Sequence, residues 1–326
     1  MSEPRVLFVT GEYPPLAGGV GDYTANLRLA LAGMGIRTAV LSSRGAGGED
    51  VWTVRRWGWP SILSVERATR RARASIVHIQ YQAGAFAMHP AVTALPALVG
   101  ERFPVVTTFH DLRVPYLFPK AGRLRKAAIT RMARSSTAVV VTNLADERAL
   151  ANEGINANSL PIGPNLPPPV PGVRVDGRAV AFFGFPARSK GIEQLLNALA
   201  DLPEHRLSLL LVGDQGKPRP SNDIISGQEI DRLAARAGVE LRRTGFLDPR
   251  AASNALASAR VIVLPFRDGA SQGSGSLLAA LQSGRPVVTT APRFASDLGE
   301  LAPLPQLRLA PPDDPAALAA AIEGAL

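Results

Sequence analysis

The sequence contains no cysteine among its 326 residues, so neither a disulfide framework nor a thiolate metal site is open to it. Histidine is nearly as scarce, with four copies. No group of histidines and carboxylates shows metal-ligand spacing, so the expectation is a protein with no metal and no bound cofactor. No stretch approaches the roughly 18 apolar residues of a membrane span. The opening Met1-Ser2-Glu3-Pro4-Arg5, followed by a short apolar run, lacks the form of a secretion signal. The expectation is a soluble, cytoplasmic protein. Aromatic residues are few, at 6%, and no aromatic-studded basic strand or recognition motif occurs, which sets nucleic acid aside as a partner.

What is present is length, positive charge and a repeated rhythm. The chain is longer than the usual single domain of about 100–200 residues, and the prior is two domains. Residues 1–170 carry 19 Lys and Arg against 11 Asp and Glu, whereas residues 171–326 carry 17 against 16. Nearly all of the net charge of +9 therefore sits in the first half. An anionic membrane surface or a phosphorylated substrate could use that excess, and so could nothing more than arginine-rich solvated helix faces. Two segments are densest: Arg67, Arg70, Arg71 and Arg73, then Lys120, Arg123, Arg125, Lys126, Arg131 and Arg134. The second also carries Leu124, Ala127, Ala128, Ile129 and Met132. If helical, it could lie in a headgroup layer at the inner face of the membrane, or pack those apolar residues on its own domain.

Apolar runs bounded by turn residues alternate with helical patterns throughout, the signature of parallel α/β structure. In the first half, strands are expected at Arg5–Thr10, Thr38–Ser42, Ile76–Gln80, Val105–Phe109 and Ala138–Thr142, with a helix over Asp22–Met34. Six prolines between Pro161 and Pro171 exclude helix and central strand and read as a stiff linker. The rhythm then restarts: strands at Ala179–Gly184, Leu207–Gly213, Glu240–Gly245, Val261–Pro265 and Pro286–Thr290. Helices are expected over Gly191–Ala200, Asp223–Ala237, Ala251–Ser258, Ser276–Ser283 and Asp314–Leu326. The expected architecture is α/β, with two Rossmann-like doubly wound domains, 1–168 and 169–326, facing a central cleft. Ligands of such sheets bind at the carboxyl ends of the strands.

Four stretches fall at those ends. Gly11 to Asp22 joins the first strand to the first helix, and its Gly18, Gly19 and Asp22 could meet an anion or a sugar hydroxyl, although glycines that merely turn the chain would look alike. The spacing is not the dinucleotide G-x-G-x-x-G. His110-Asp111 directly follows a strand, where the imidazole could hydrogen-bond a substrate hydroxyl or form only a satisfied polar pair. Arg188-Ser189-Lys190-Gly191 places cations at a helix start, suited to a departing diphosphate or to plain surface charge. The richest stretch holds Asp268, Ser271, Gln272, Gly273, Ser274, Gly275 and Ser276, whose amides could cradle phosphate if it is more than a flexible loop. Gly273-Ser274-Gly275 fits a nucleophile elbow only in part, so a hydrolase triad has no support.

Taken in order, the chain resembles glycosyltransferase family 4, a retaining family of GT-B fold that includes many bacterial cell-envelope enzymes. The resemblance is carried by Tyr13-Pro14-Pro15 to Gly18-Gly19-Val20, Phe109-His110-Asp111, Pro161-Ile162-Gly163, Gly184 to Lys190-Gly191, Leu211-Val212-Gly213-Asp214, and Leu281 to Gly284-Arg285-Pro286-Val287-Val288. It implies metal-independent transfer of a sugar from a nucleotide-diphosphate donor with retention, in cell-envelope, polysaccharide or glycolipid synthesis. The donor would be held by the second domain, through Gly184, Gly213, Asp214, Phe246 and the 268–276 loop. Lys190 would contact the diphosphate with Arg188 beside it, and His110 the transferring sugar. The Gly18-Gly19 loop would border an acceptor that is a sugar or a lipid-linked sugar. Where the family carries two glutamates separated by seven residues, this sequence has Ser271 and Ala279. The alternative expectation is a non-catalytic GT-B protein that binds or scaffolds without turnover.

Overall fold

In the computed structural model, which describes residues 5–16, 18–112, 122–213 and 225–326, the chain divides into two compact units, Met1–Ile162 and Gly163–Leu326. The division falls inside the proline run, after Pro161 and ahead of its other five prolines. Leu166 packs on the second unit's core, and the Val170 N–H donates to Asn254 Oδ1 at 2.9 Å, so most of that run is anchored there.

The first unit runs β1 (Arg5–Thr10), α1 (Gly19–Gly33), β2 (Arg37–Ser43), β3 (Val51–Val54), α2 (Ser61–Ala72), β4 (Ile76–Tyr81), α3 (Leu95–Val99), β5 (Val105–Phe109), α4 (Gly122–Arg134), β6 (Ala138–Val141), α5 (Leu144–Ala151) and β7 (Asn158–Ser159). Its sheet is wholly parallel, in the order β3-β2-β1-β4-β5-β6-β7. Central strands are buried on both faces. Leu7 and Val9 join one core with Ile79, Val105 and Phe109, while Phe8 turns to the other side with Val40. That two-sided burial explains why these strands read as continuous apolar runs. The short edge strands β3 and β7 escape the sequence reading because four and two residues are too few to show a period.

Helix α1 starts at Gly19, three residues earlier than expected. Its N-cap, Gly18, offers no side chain, and a glycine-rich first turn has poor intrinsic propensity. The missing acceptor comes from Glu12, which is 4% exposed and whose carboxylate takes the Val20 N–H at 3.1 Å. A Cβ at Gly18 would collide with that carboxylate. Glycine here makes room for the internal cap.

The second unit repeats the plan: β8 (Asp176–Phe183), α6 (Ile192–Ala200), β9 (Ser208–Val212), α7 (Gly227–Ala237), β10 (Glu240–Arg243), α8 (Pro249–Ala257), β11 (Ala259–Leu264), α9 (Gly275–Gln282), β12 (Val287–Thr290), β13 (Leu307–Ala310) and α10 (Pro315–Glu323). The sheet is again parallel, ordered β10-β9-β8-β11-β12-β13. Both units are thus Rossmann-like. Ser226, Asp248 and Asp314 are N-caps whose side-chain oxygens fix the starts of α7, α8 and α10. Helix α8 begins two residues ahead of the expected Ala251 and α10 one after the expected Asp314, while Asp223, the expected start of α7, lies outside the described residues.

The buried stripe of α6, Ile192, Leu195, Leu196 and Leu199, holds that helix on the sheet. Leu195→Ala is expected to lower the unfolding free energy of the second unit by about 2–5 kcal/mol, read as a lower urea midpoint at unchanged slope.

Candidate functional site

In each sheet the winding reverses between the first and fourth strands, β1 and β4 in one unit and β8 and β11 in the other. The connections on either side of such a reversal leave in opposite directions, which opens a crevice at the carboxyl edge. The expected site residues can be followed to those two edges.

In the first unit, the loop after β1 is braced from several sides. Thr10 Oγ1 donates to the Glu12 carbonyl at 2.9 Å, and Ser43 Oγ donates to the Gly11 carbonyl at 2.5 Å. Gly18, Gly19 and Asp22 lie at the start of α1, immediately after the buried Glu12. The Asp22 carboxyl is pushed up to about 6, first by the protein crowding it and then by repulsion from Glu12. Such a carboxyl can donate to a hydroxyl below about pH 6 and accepts from one above it. Sequence reasoning missed Glu12, because its role depends on a contact with Val20 that only the folded loop brings about.

His110 directly follows β5, and its backbone N–H donates to the Tyr81 carbonyl. Its Nε2 sits 2.8 Å from Gln80 Oε1, and the Tyr23 ring meets the imidazole edge-on at 4.8 Å between centroids. Burial lowers its pKa to about 3, helped by repulsion from His78. His78, 2.8 Å from Thr108 Oγ1, is itself lowered to about 4 by burial. With Gln80 Oε1 as acceptor, Nε2 of His110 carries the ring proton and Nδ1 keeps its lone pair. The imidazole is a neutral hydrogen-bonding group, not an acid at neutral pH.

In the second unit, Gly184 and Lys190 meet at the end of β8: a Cβ at Gly184, which has φ of 109°, would stand 2.7 Å from Lys190 Nζ. Gly191 has φ of 70° and abuts the Pro265 carbonyl, while the Arg267 N–H donates to the Ser189 carbonyl at 2.9 Å. The loops after β8 and β11 are therefore one braced structure with the ammonium on it. Arg188 is directed elsewhere, its guanidinium 2.7 Å from Glu229 of α7. Gly213 N–H donates to Thr244 Oγ1 at 3.2 Å, and Phe246, two residues on, is 74% exposed at the same edge. Asp214 lies outside the described residues.

The 268–276 loop divides by direction. Ser271 Oγ accepts the Gly273 N–H, and Ser274 caps α9 by accepting from Leu277, with Ser276 Oγ 3.2 Å away. Asp268 is exposed at the loop's start and Gly275 lies beside Asn165 of the proline run. Gln272 turns inward: it is 6% exposed, its N–H donates to the Asp297 carbonyl, and its carboxamide abuts Gly299. Ala279 is buried in α9. In α4 the apolar residues Ile129, Met132 and Ala133 pack inward, leaving Arg123, Leu124, Lys126, Arg131 and Arg134 exposed. Lys126 pairs with Glu153. Among the described residues no helix is long and apolar enough to cross a membrane.

Two Rossmann-like units, each with its loops gathered at the carboxyl edge of a parallel sheet, define the GT-B class. Residues 18–165 match the family described as Glycosyl transferase 4-like domain, and residues 177–326 match the family described as Glycosyl transferases group 1. The chain belongs to the group 1 glycosyltransferases. Among solved structures, sucrose-phosphate synthase (tll1590) from Thermosynechococcus elongatus is similar with a TM-score of 0.77, over 99% of this chain and 89% of its own, at 21% identity. Alr3699/HepE of Anabaena, in complex with UDP and glucose, gives 0.72 over 99% and 89%, at 19% identity. WaaG, a glycosyltransferase involved in lipopolysaccharide biosynthesis, gives 0.67 over 98% and 90%, at 16% identity. At such identities the likeness is one of fold. No curated protein sequence matches the chain significantly.

The two buried imidazoles yield a test. Their folded pKa values lie below the ordinary 6.5, so the unfolded chain takes up protons where the folded protein does not. Each histidine's stabilising effect is whole above pH 6.5 and shrinks as pH falls toward about 4 for His78 and 3 for His110. The slope is on the order of 1 kcal/mol per pH unit per histidine. The imidazole C2–H resonances of both, assigned from His78→Asn and His110→Asn, should stay fixed from pH 8 to about 5, about one and a half units below the ordinary value. Movement with a midpoint near 6.5 would overturn the assignment of neutral, buried rings.

Proposed function

We propose that the protein transfers a sugar, with retention, from a nucleotide-diphosphate donor held by the second unit to a sugar or lipid-linked acceptor approaching the first. The observation that carries this reading is the Lys190 ammonium beside Gly184, fixed by the braced loops at the reversal of the second sheet. A cation held there gains strength as negative charge develops on the departing diphosphate. It supplies the countercharge in a metal-independent reaction. The uridine diphosphate and glucose bound in the Anabaena protein support a nucleotide-sugar donor of that class.

Retention needs no protein nucleophile in this scheme. The bond from the anomeric carbon to the diphosphate oxygen breaks, and the acceptor oxygen bonds to the same face. Its proton passes to the departing phosphate oxygen. Neutral His110 orients a donor-sugar hydroxyl through Nδ1, while the capped Gly18-Gly19 turn and Asp22 receive the acceptor hydroxyl. The backbone amides at the start of α9 and the Ser271, Ser274 and Ser276 hydroxyls are the proposed donor contacts, with Phe246 offering an open ring face. The resemblance in fold to WaaG is compatible with a cell-envelope role at the inner membrane face. Because Ile129, Met132 and Ala133 of α4 are spent on the core, any contact of that helix with lipid would rest on its cations and the exposed Leu124.

Lys190→Ala should cost about 2–4 kcal/mol of transition-state stabilisation, so kcat/KM for nucleotide-sugar turnover, with UDP-glucose as first donor, should drop about 30- to 1000-fold. Unchanged kinetics would remove Lys190 from the reaction. A second outcome concerns Ala279, which offers no acceptor to ribose hydroxyls. Calorimetry with ribo- and 2′-deoxyribonucleoside diphosphates should differ by less than about tenfold. A larger ribo preference would mean that another side chain holds the ribose.

A further inference from the structure

The carboxyl edge of the first sheet holds a second charged feature, outside the residues assigned above. Arg44 directly follows β2, and Arg55 and Arg56 directly follow β3, so the register of the two strands brings three guanidiniums to one corner. With Thr53, Pro60, Ser61 and Ser64 they line a cavity of about 680 Å³. All three arginines are exposed, and among the described residues none has a hydrogen bond or ion pair from its side chain. Arg102, also exposed, is by contrast engaged by Glu66. The floor is helix α2, which has no acidic residue in its first turn, so its positive end adds to the field.

This corner is tied to the loop after β1. The Trp57 Nε1–H donates to Ser43 Oγ at 2.8 Å, and that same hydroxyl donates to the Gly11 carbonyl. Trp57 is buried edge-on against Phe86, and the Gly47 N–H donates to the Pro14 carbonyl at 3.0 Å. Arg44, Arg55 and Arg56 are thus held beside the turn that carries Gly18, Gly19 and Asp22. One end of the edge is acidic and suited to hydroxyls; the other is purely cationic.

We propose that Arg44, Arg55 and Arg56 form an anion subsite that binds a phosphoryl or diphosphoryl group carried by the acceptor. Unpaired guanidiniums around an open cavity offer the planar forks that phosphate oxygens take in pairs. The identity of the occupant as acceptor rests on the transferase reading; the presence of a phosphoryl site does not.

The test is therefore a binding measurement, free of turnover. Lys190→Ala serves as the background, because it removes the ammonium of the donor loop. Inorganic pyrophosphate is titrated calorimetrically into this variant and into the same variant carrying Arg55→Ala and Arg56→Ala. Binding should weaken about tenfold or more in the second. An Arg55→Lys, Arg56→Lys pair, which keeps charge and loses the fork, should fall between. Co-sedimentation with phosphatidylcholine vesicles, with and without phosphatidate, tells the source. Recovery with phosphatidate vesicles that is lost in the arginine variants identifies a lipid-borne phosphate, and pyrophosphate binding alone a soluble one. Equal pyrophosphate affinity with and without the two arginines, or no binding to the Lys190→Ala protein, would overturn the proposal. Absence of sugar transfer by the unsubstituted protein, with pyrophosphate binding intact, would instead count against the transferase reading.

Discussion

A parallel sheet must send its chain back across one face or the other after every strand. When the direction of winding changes, the connections part and expose the carboxyl ends of two neighbouring strands. This geometric constraint acts twice here, at β1 and β4 and at β8 and β11. Every side chain with a proposed chemical role stands in a loop or first helical turn that follows the carboxyl end of a strand in one of the two sheets. The buried apolar strands fix where those loops begin.

The two first turns, built on the same plan, are opposite in charge. In the first unit the start of α1 is capped from within by the buried Glu12, with Asp22 one turn along. A carboxylate at a helix N-terminus takes up the dipole that would otherwise favour phosphate. In the second unit the corresponding turn carries Lys190. Equivalent backbones are thereby set for different ligands, hydroxyl-rich in one and anionic in the other. The unpaired arginines after β2 and β3 restore positive charge to the first edge, one and two strands along from the acidic turn.

His110 shows how burial selects chemistry. Desolvation and the neighbouring His78 keep its ring neutral, and Gln80 orients it. A charged imidazole would place a fixed cation against the donor sugar; a neutral one offers a directional lone pair. Gln272 and Arg188 show the opposite outcome. Both stand in promising loops, yet one side chain is folded into the core and the other is engaged by α7.

Much of this was legible in the linear sequence. Alternation of apolar runs and helical patterns depends on local periodicity, so the central strands, the main helices, the two-domain plan and the carboxyl-end loops could all be read from neighbouring residues. His110, which directly follows a strand, and Lys190 and the Gly18-Gly19 turn, each in the loop after one, were locatable for the same reason. The edge strands β3 and β7 were not, being too short to carry a period. Nor could local pattern tell that the apolar side of α4 is consumed by the sheet, or that Gln272 points inward. The cap from Glu12 to Val20, the relay from Gly11 through Ser43 to Trp57, and the meeting of Arg44 with Arg55 and Arg56 join residues that are separated in the chain. Tertiary structure alone decided them, because strand register and loop packing, not sequence spacing, determine which polar groups face one another.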